Sequence, residues 1–517
     1  MQLATLYSAA VHGVNAYTVS IEVHVTPGVG NGDIKHAIVG LPDNAVRESL
    51  QRVGVAIKQC GYFKPRNHMV VNLSPADVRK EGTGYDLPIA LGILASSQQM
   101  STKKLSEYLL LGELSLDGSV QPIKGALPIA IQARKAGFKG LILPIENARE
   151  AAIVNDLEVF GVKHMQEVIA FMDDDKELTP TIVDTREEFF HHLGASDLDF
   201  SDVKGQENIK RALEITAAGG HNAILIGPPG AGKTMLAKRL PGILPPLNLH
   251  EALETTKIHS VAGKLAANSS LIYTRPFRNP HHTVSDVALV GGGSHAQPGE
   301  ISFAHNGVLF LDELPEFKRN VLEVLRQPME ERRIIISRAR VTVEYPANFM
   351  LLAAMNPCPC GFYNHPDKEC VCGSQVVQRY LNRISGPLLD RIDLHVEVVP
   401  VGVSEMSQMQ EGEKSASIRE RVIAARKIQE ERFAGVEIYC NAQMGSKQVK
   451  EVCVISPVGQ TLLNKAMEKL GLSARAYDRI LKVSRTIADL SASPDIMPEH
   501  LAEAIHYRSL DRENWAG

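Results

Sequence analysis

The chain has 517 residues, too many for a single hydrophobic core, so we expect roughly two to four domains. Its formal net charge of −4 at pH 7 excludes the overall basic character of a small nucleic-acid-binding domain, so any DNA contact has to come from a local patch or a pore. No run of about 18 apolar residues is present, and residues 1–10 carry no basic, apolar leader. We therefore expect no membrane span, no signal peptide and a cytoplasmic location.

Residues 1–170 alternate β-rich runs with helical stretches and form the first predicted domain. Within them, residues 17–25 alternate apolar and polar side chains with a period of two, which predicts a half-buried strand. An acidic run and the polar stretch behind it predict a linker over 171–199, although a solvated helix end fits the acidic run equally well. Residues 200–400 form the second predicted domain, and the helix-rich residues 401–517 form the last.

Residues 227–234 read Gly-Pro-Pro-Gly-Ala-Gly-Lys-Thr and complete the phosphate-loop motif G-x-x-x-x-G-K-[ST]. An apolar run at 223–226 predicts a strand before the loop and 234–240 predicts a helix after it, a context that a chance glycine-rich turn lacks. Lys233 would neutralise the β- and γ-phosphates of ATP, and Thr234 would bind Mg²⁺. The predicted nucleotide-binding residues are Gly227, Pro228, Pro229, Gly230, Ala231, Gly232, Lys233 and Thr234.

An apolar strand at 307–311 ends in two carboxylates, Asp312 and Glu313. Asp312 is placed to hold the Mg²⁺, and Glu313 is placed to polarise the attacking water as a general base. An acidic pair at a strand end is common by itself, and the phosphate loop earlier in the chain is what gives this pair a catalytic interpretation.

Four cysteines lie close together in sequence at Cys358, Cys360, Cys370 and Cys372. Four thiolates from two short loops suit tetrahedral Zn²⁺, and the prolines and glycines around them favour a small zinc-stapled loop. Reduced cysteines without metal and a redox sensor are the alternatives. His365, between the two pairs, could replace one sulfur as a ligand.

Taken in order, the motifs of residues 200–517 resemble those of AAA+ ATPases. Asn356 follows an apolar strand at 349–355 and is similar to the AAA+ sensor 1, which reaches the attacking water or the γ-phosphate, whereas Asn356-Pro357 read alone would be a turn. Residues 388–394 resemble the AAA+ box whose arginine enters the neighbouring subunit's site. This resemblance makes Arg391 the arginine-finger candidate.

A local ion pair with Asp390 or Asp393 is the alternative interpretation of Arg391. Arg475 lies at the start of a helix that resembles the AAA+ sensor-2 helix, from which it would contact the γ-phosphate, and Arg479 is the second choice. Because an arginine finger acts in trans, the resemblance implies a ring, expected to be a homohexamer, and a poorly active isolated subunit.

Two insertions flank the acidic pair, and the first includes residues 275–283 and 291–294. They resemble the helix-2 insert and the pre-sensor-1 hairpin of one AAA+ branch. That branch contains magnesium chelatase motor subunits and minichromosome-maintenance helicases. The second insertion, at 334–343, predicts a β-hairpin with a basic tip. In the helicases such hairpins grip nucleic acid, which would make Arg338 and Arg340 phosphate contacts, while an ordinary solvated hairpin is the alternative. For His281 and His282 in the first insertion we expect a structural or pore-facing role.

Longer segments resemble the bacterial YifB/ComM family of magnesium-chelatase-like proteins over essentially the whole chain; they are 4–10, 38–43, 306–314 and 383–391. The resemblance implies a hexameric helicase that uses ATP for branch migration while incoming single-stranded DNA is integrated during natural transformation. It implies single-stranded and branched DNA, further copies of the chain and recombination proteins as partners. The alternative is an AAA+ motor that remodels a protein, such as a magnesium-chelatase-type metal-insertion complex.

Residues 1–170 resemble the ribosomal-S5-domain-2-like α+β fold that the Lon protease domain shares. Gly84 occupies the place of Lon's nucleophilic serine and Leu127 that of its lysine, so neither group needed for Ser–Lys chemistry is present. The resemblance therefore implies a non-proteolytic scaffold in front of an α/β AAA+ core and a helical lid. Arg79 and Lys80 would be phosphate contacts or simple surface charges.

Overall fold

The computed structural model describes residues 3–26, 36–65, 68–191, 198–266, 269–293, 296–338, 341–363, 365, 367–399 and 412–508. The chain divides into two compact units, Met1–His191 with Leu249–Ile272, and His192–Asn248 with Tyr273–Gly517. Among the helices of the described residues, none is both long enough and apolar enough to cross a membrane.

The first unit is built on a seven-stranded mixed sheet. The strands of the unit are β1 (Ala4–His12), β2 (Asn15–Thr26), β3 (His36–Val39), β4 (His68–Ser74), β5 (Tyr108–Leu110), β6 (Glu113–Leu114), β7 (Val120–Gln121), β8 (Gly140–Pro144) and β9 (Glu158–Val162). Strands β6 and β7 form a separate two-stranded sheet. The helices of the unit are α1 (Asn44–Gln59), α2 (Asp86–Ser96), α3 (Ala126–Lys135), α4 (Ile145–Ala151), α5 (Met165–Met172), α6 (Thr185–His191) and, from a later part of the chain, α9 (Leu249–Ala262). The sheet order is β3-β4-β2-β1-β5-β8-β9, and only the pairings of β2 with β1 and with β4 are antiparallel.

Strand β2 contains the period-two pattern predicted at 17–25. Its apolar positions Val19, Ile21, Val23 and Val25 are fully buried. They share one face of the sheet because successive side chains of a strand point to opposite sides. Helix α2 packs against this strand and is buried along its whole length, which fits its nearly uninterrupted apolar sequence. The expectation of an α+β first domain is confirmed.

The second unit has a five-stranded parallel sheet followed by a helical region. The strands of the unit are β10 (Ala223–Ile226), β11 (Phe277–Arg278), β12 (Gly291–Gly292), β13 (Gln297–Pro298), β14 (Val308–Leu311), β15 (Arg333–Arg338), β16 (Val341–Pro346), β17 (Met350–Met355) and β18 (Leu394–Glu397). Strands β12 with β13 and β15 with β16 form two separate hairpins. The helices of the unit before the last strand are α7 (Glu207–Gly219), α8 (Lys233–Ile243), α10 (Asp286–Val290), α11 (Glu300–Phe303), α12 (Arg319–Glu323), α13 (Arg326–Glu331), α14 (Ser374–Leu381) and α15 (Gly386–Leu389). After it come α16 (Ser415–Arg432), α17 (Ser446–Val452), α18 (Pro457–Leu470), α19 (Ala474–Leu490) and α20 (Pro498–His506), and short 3₁₀ turns lie at Phe200–Asp202, Leu314–Glu316 and Asn441–Gln443.

The order of the parallel strands decides which motifs meet. It is β11-β14-β17-β10-β18, and all four neighbouring pairs are parallel. The carboxyl ends of β10, β17 and β14 therefore lie side by side at one edge of the sheet, where open α/β sheets bind ligands. The α/β core with a helical region is the fold class expected from the sequence.

Helix α9 packs in the first unit although it follows the phosphate loop in sequence and falls within the predicted 200–400 domain. The carbonyl of Ser260 accepts a hydrogen bond of 3.1 Å from the Gly125 N–H. Its hydroxyl donates to the buried carboxylate of Glu150, which also accepts from the Leu127 N–H at 2.9 Å. Burial raises the pKa of Glu150, so these donors satisfy a carboxyl group that has lost its water. The chain thus passes from the second unit to the first and back between α8 and β11.

Lys80 corrects one sequence expectation. Its side chain is fully buried, and the ammonium group donates to the carbonyls of Pro75 and Val78, the latter at 2.7 Å. It is therefore neither a surface charge nor a phosphate contact. Arg79 lies half-exposed and pairs with Glu81 at 3.4 Å.

Asp393 links the last strand of the second sheet to the helical region. Its carboxylate is 2 % exposed, accepts from the Asn222 N–H at 3.0 Å and pairs with Arg479 of α19. Burial by itself would raise the pKa of Asp393, but Arg479 and His221 hold it well below its usual range. The charged carboxylate is therefore stabilised by folding.

We predict that Asp393→Asn lowers the free energy of unfolding by about 3 kcal/mol, because the Arg479 charge loses its partner in a buried place. Since the folded pKa lies below the unfolded one, this contribution is present above about pH 4 and is lost as the pH falls below it. Urea titrations of both proteins followed by circular dichroism at several pH values measure the difference.

Asp390→Asn is the matched control, because Asp390 pairs with Arg475, which lies on α19 like Arg479. This contact is 3.7 Å long, and 63 % of the Arg475 side chain is exposed. Such a pair contributes about 1 kcal/mol or less. Equal effects of the two substitutions would contradict the account of Asp393.

Candidate nucleotide-binding site

The phosphate loop joins the end of β10 to the start of α8. Gly230 and Gly232 have φ values of 79° and 86°, in the left-handed region that only glycine adopts without strain. These conformations turn the backbone N–H groups of the loop toward one point in front of the helix. The N-terminus of α8 adds its own unpaired N–H groups and positive dipole end, so the loop is built to bind an anion.

Lys233 is the first residue of α8 and is only 7 % exposed. Its ammonium group donates to the carbonyls of Gly227 and Pro228 at 2.6 and 2.9 Å and to Oδ1 of Asn356 at 3.1 Å. Burial lowers the pKa of Lys233, and the carboxylates of Asp312 and Glu313 oppose this shift. The loop therefore contains a partly desolvated cation whose charge suits the phosphates of a nucleotide.

Thr234 and Asp312 come together from α8 and the end of β14. The hydroxyl of Thr234 donates to Oδ2 of Asp312 at 2.6 Å. A hydroxyl and a carboxylate at this distance, beside a phosphate loop, are oxygen ligands of the kind that Mg²⁺ prefers. Thr234 and Asp312 would hold a magnesium ion, which would neutralise charge on the phosphates of a nucleotide.

Glu313 has a backbone in the left-handed region, with φ 53°, at the turn that ends the strand. Its N–H donates to Oδ1 of Asp312 at 2.9 Å, which fixes the turn at the end of the strand. Its carboxylate lies 3.2 Å from Nδ1 of His282 and is half-exposed. Water can therefore reach the one acidic group that could accept a proton from it.

His282 contacts Glu313, and the sequence did not reveal this neighbour. The histidine pair was expected to have a structural or pore-facing role, but His282 follows β11, the strand next to β14, and reaches Glu313. The rings of His281 and His282 lie 4.1 Å apart between centroids, and the His282 ring also meets Phe317 edge-on. In the described structure, the contact between His282 and Glu313 follows from the adjacency of β11 and β14, which the sequence alone did not predict.

The cleft between these groups has a volume of about 390 Å³ and brings together most of the predicted site. Its lining residues are Pro229, Gly230, Ala231, Gly232, Lys233, Thr234, Met235, Asp312, Glu313, Met355 and Asn356. Gly227 and Pro228 contribute through their carbonyls to Lys233. The phosphate loop, the acidic pair and Asn356 thus form one continuous site.

Arg391 and Arg475 do not line this cleft in the described part of the chain. Arg391 is 8 % exposed, donates to the Pro387 carbonyl at 2.6 Å and pairs with Glu330 of α13 at 2.7 Å. The local ion pair that the sequence offered as an alternative therefore exists, but with Glu330 in place of Asp390 or Asp393. Arg391 borders a second cavity of about 450 Å³ in the same unit.

The two insertions of the second unit pack against each other. Strands β12 and β13 form one hairpin, and β15 and β16 form the other. The Tyr345 hydroxyl of the second donates to the Ala296 carbonyl beside the first at 3.0 Å. A Cβ atom on Gly292 would lie 2.6 Å from the Arg338 guanidinium group, so the arginine covers the first hairpin. Arg340 lies outside the described residues.

The four clustered cysteines bring their sulfurs within 4.8 Å of one another. Cys358 lies 3.3 and 3.7 Å from Cys360 and Cys370, and Cys360 lies 3.6 Å from Cys370. Sulfurs on a tetrahedral Zn²⁺ with bonds of about 2.3 Å lie about 3.8 Å apart, so the cluster has the size of a zinc site. Burial raises the pKa of the Cys360 thiol, but N–H donors such as that of Phe362 outweigh it and bring the value to about 6, whereas burial and the neighbouring sulfurs raise the pKa of Cys370. Nδ1 of His365 accepts the N–H groups of Asp367 and Lys368.

The fold and cleft define a class of protein, the AAA+ ATPases, which bind ATP with Mg²⁺ at such a site. The chain matches three families: "Magnesium chelatase, subunit ChlI" over residues 199–406, "Subunit ChlI of Mg-chelatase" over 21–147 and "Magnesium chelatase, subunit ChlI C-terminal" over 412–508.

Competence protein ComM of Haemophilus influenzae is 45 % identical over 514 residues, covering 99 % of this chain and 98 % of that protein. The uncharacterized protein YifB of Escherichia coli is 44 % identical over 515 residues, with the same two coverages. Lon protease 2 of Bacillus subtilis is 26 % identical over 183 residues, 32 % of each chain. The chain belongs to the YifB/ComM family of magnesium-chelatase-like AAA+ proteins.

Proposed function

We propose that this protein is an ATP-driven ring motor that acts on DNA in the cytoplasm, as a helicase promoting branch migration and the integration of single-stranded DNA during transformation and recombination. The observation that carries the proposal is a cleft that unites the phosphate loop, the acidic pair and Asn356, in a chain that matches a competence protein over 99 % of its length. The other proposed partners are single-stranded and branched DNA, further copies of the chain in a hexameric ring and recombination proteins.

ATP hydrolysis is assigned to the groups that line the cleft. Lys233 and the loop N–H groups hold the phosphates, and Thr234 and Asp312 hold Mg²⁺, which supplies charge neutralisation when bound. Glu313 accepts a proton from the attacking water while His282 positions its carboxylate. Asn356, already bonded to Lys233, orients the water or the γ-phosphate from the neighbouring strand.

Arg391 and Arg475 complete the site from outside. Arg391 acts on the nucleotide of the next subunit, and Glu330 is its partner when no neighbour is engaged. Arg475 reaches the γ-phosphate from the helical lid, since its 3.7 Å contact with Asp390 is exposed and holds it weakly. A ring is required for this arrangement because a finger in trans needs a second copy of the chain.

DNA contact is assigned to the hairpin of β15 and β16, through Arg338 and Arg340. Its packing against the first insertion supports this assignment, because movement of the nucleotide-dependent core would then move both hairpins together. The predicted divisions at 1–170, 171–199, 200–400 and 401–517 serve here as scaffold, linker, motor and lid. Zn²⁺ is the proposed occupant of the four-cysteine cluster, where it would cross-link a loop of the motor.

A chelatase-type motor that remodels a protein partner is the second candidate, favoured by the three magnesium chelatase families that match the chain. Such a motor would use the same ATP cleft but would respond to a protein instead of DNA. The two candidates therefore differ in what stimulates hydrolysis.

For the subunit interface, we predict that Lys233→Ala and Arg391→Ala each reduce ATP hydrolysis at least a hundredfold, and that an equimolar mixture of the two proteins recovers activity. In mixed rings about a quarter of the interfaces would join an intact cleft to an intact finger. Steady-state phosphate release from each variant and from the mixture measures this recovery.

Mixing Lys233→Ala with Glu313→Gln is the control, because both substitutions lie in the same cleft and no interface regains a complete site. Recovery in that mixture, or none with Arg391→Ala, would overturn the action of Arg391 in trans.

For the DNA partner, we predict that single-stranded or forked DNA stimulates ATP hydrolysis, with an apparent DNA affinity that falls steeply as salt rises. Arg338→Ala should weaken DNA binding and lower the slope of log K against log salt by about one, because it removes one phosphate contact. Fluorescence anisotropy of labelled DNA at several salt concentrations, alongside phosphate release, provides both readouts.

Arg333→Ala is the control on the same hairpin, since Arg333 is paired with Glu344 at its base. Hydrolysis that is indifferent to DNA would move the assignment to the protein-remodelling candidate.

A further inference from the structure

The segment 356–361 touches the phosphate loop at two separate points. At its start, Oδ1 of Asn356 accepts the ammonium group of Lys233 at 3.1 Å. At its end, the backbone of Gly361 lies so close to Pro229 that a Cβ atom there would come within 2.5 Å of the proline Cδ. The position of this short segment therefore limits the positions that the phosphate loop can take.

Two members of the cysteine cluster lie within that segment. Cys358 and Cys360 lie between the two contact points, and Cys358 is fully buried. The Gly361 N–H closes a turn onto the Cys358 carbonyl at 3.0 Å. The described residues from 357 to 373 contain neither helix nor strand, so few backbone hydrogen bonds restrain them. The sulfurs of Cys370 and Cys372 are the groups that could tie this turn to the rest of the loop.

We propose that the four-cysteine cluster is a structural zinc site that controls nucleotide binding, holding the turn at 358–361 so that Pro229 and Asn356 keep the phosphate loop in its binding conformation. The proposal rests on the zinc assignment made above and adds a regulatory consequence to it. Zinc does not touch the nucleotide in this scheme, and it acts only through the two contacts to the loop.

The physical basis is conformational entropy. A metal that cross-links two short loops removes many conformations that the chain would otherwise sample, and its binding energy is spent on folding that region. Without zinc the binding-competent conformation of the loop becomes a minor population, and the apparent nucleotide affinity falls by that fraction. We expect a loss of about tenfold, which corresponds to a binding-competent population of about one tenth.

The first test compares full-length wild-type protein with the double variant Cys370→Ala/Cys372→Ala, which removes two ligands remote from the phosphate loop. Zinc per chain is measured by mass spectrometry of the metal, and affinity is measured with a fluorescent ATP analogue. Wild type should carry one zinc per chain, and the variant should lack zinc and bind the analogue about tenfold more weakly. Cys440→Ala, a buried cysteine outside the cluster, should change neither value.

The second test leaves all four sulfurs in place. Gly361→Ala introduces a Cβ that collides with Pro229 at a backbone φ of 84°, so it should retain zinc and still weaken nucleotide binding about tenfold. Gly373→Ala is the matched control, because it adjoins Cys372 and a Cβ there meets nothing within 4 Å. This pair keeps the proposal testable if the double cysteine variant fails to fold.

The outcomes separate the two levels of the proposal. Wild-type protein that carries no zinc, with its thiols free or joined in disulfides, would overturn both the zinc assignment and the proposed effect of zinc on nucleotide binding. If zinc can be removed while the affinity for the ATP analogue stays the same, the zinc assignment stands but its proposed effect on nucleotide binding is overturned. Equal affinities of Gly361→Ala and Gly373→Ala would also overturn it.

Discussion

The buried ammonium group of Lys233 is the interaction on which the nucleotide-binding site depends. A cation that is 7 % exposed needs partners, and it finds them in two carbonyls of its own loop and in the amide oxygen of Asn356. Asn356 follows β17, the strand next to β10, so this third hydrogen bond forms only when the two strands are neighbours in the parallel sheet. The same requirement brings Asp312 and Glu313 to the edge of the sheet beside the loop.

Local motifs were predictable because the residues that carry their chemistry are consecutive in the sequence. The glycines of 227–234 and the acidic pair after an apolar strand specify their surroundings within a few residues, and the structure brings them together in one cleft. Asn356 was predictable for a related reason, since a parallel sheet aligns the ends of its strands.

The remaining contacts could not be predicted because they join distant parts of the chain. His282 meets Glu313, Glu330 meets Arg391 and Gly361 meets Pro229 only after the insertions have packed. Helix α9 packs in the first unit, where the Ser260 hydroxyl donates to the buried Glu150 carboxylate. No local sequence pattern predicts that contact. Lys80 was expected at the surface because a lysine is seldom buried, but backbone carbonyls satisfy its charge.

The same cleft is therefore influenced from several sides. The zinc-sized cluster approaches the loop through Gly361, and His282 approaches the acidic pair through the first insertion. The chain between α8 and β11 passes through the first unit, so the helix that follows the phosphate loop and the strand that precedes His282 are joined by residues of another unit.

The most direct measurement of the central claim is ATP-dependent branch migration on a synthetic three-stranded DNA junction. The account predicts strand exchange by the wild-type protein, loss of exchange in Lys233→Ala and Glu313→Gln, and retention in Lys238→Ala, whose side chain is exposed on the same helix as Lys233. Absence of exchange by a wild-type protein that hydrolyses ATP would contradict the assignment of this family member as a DNA branch-migration motor.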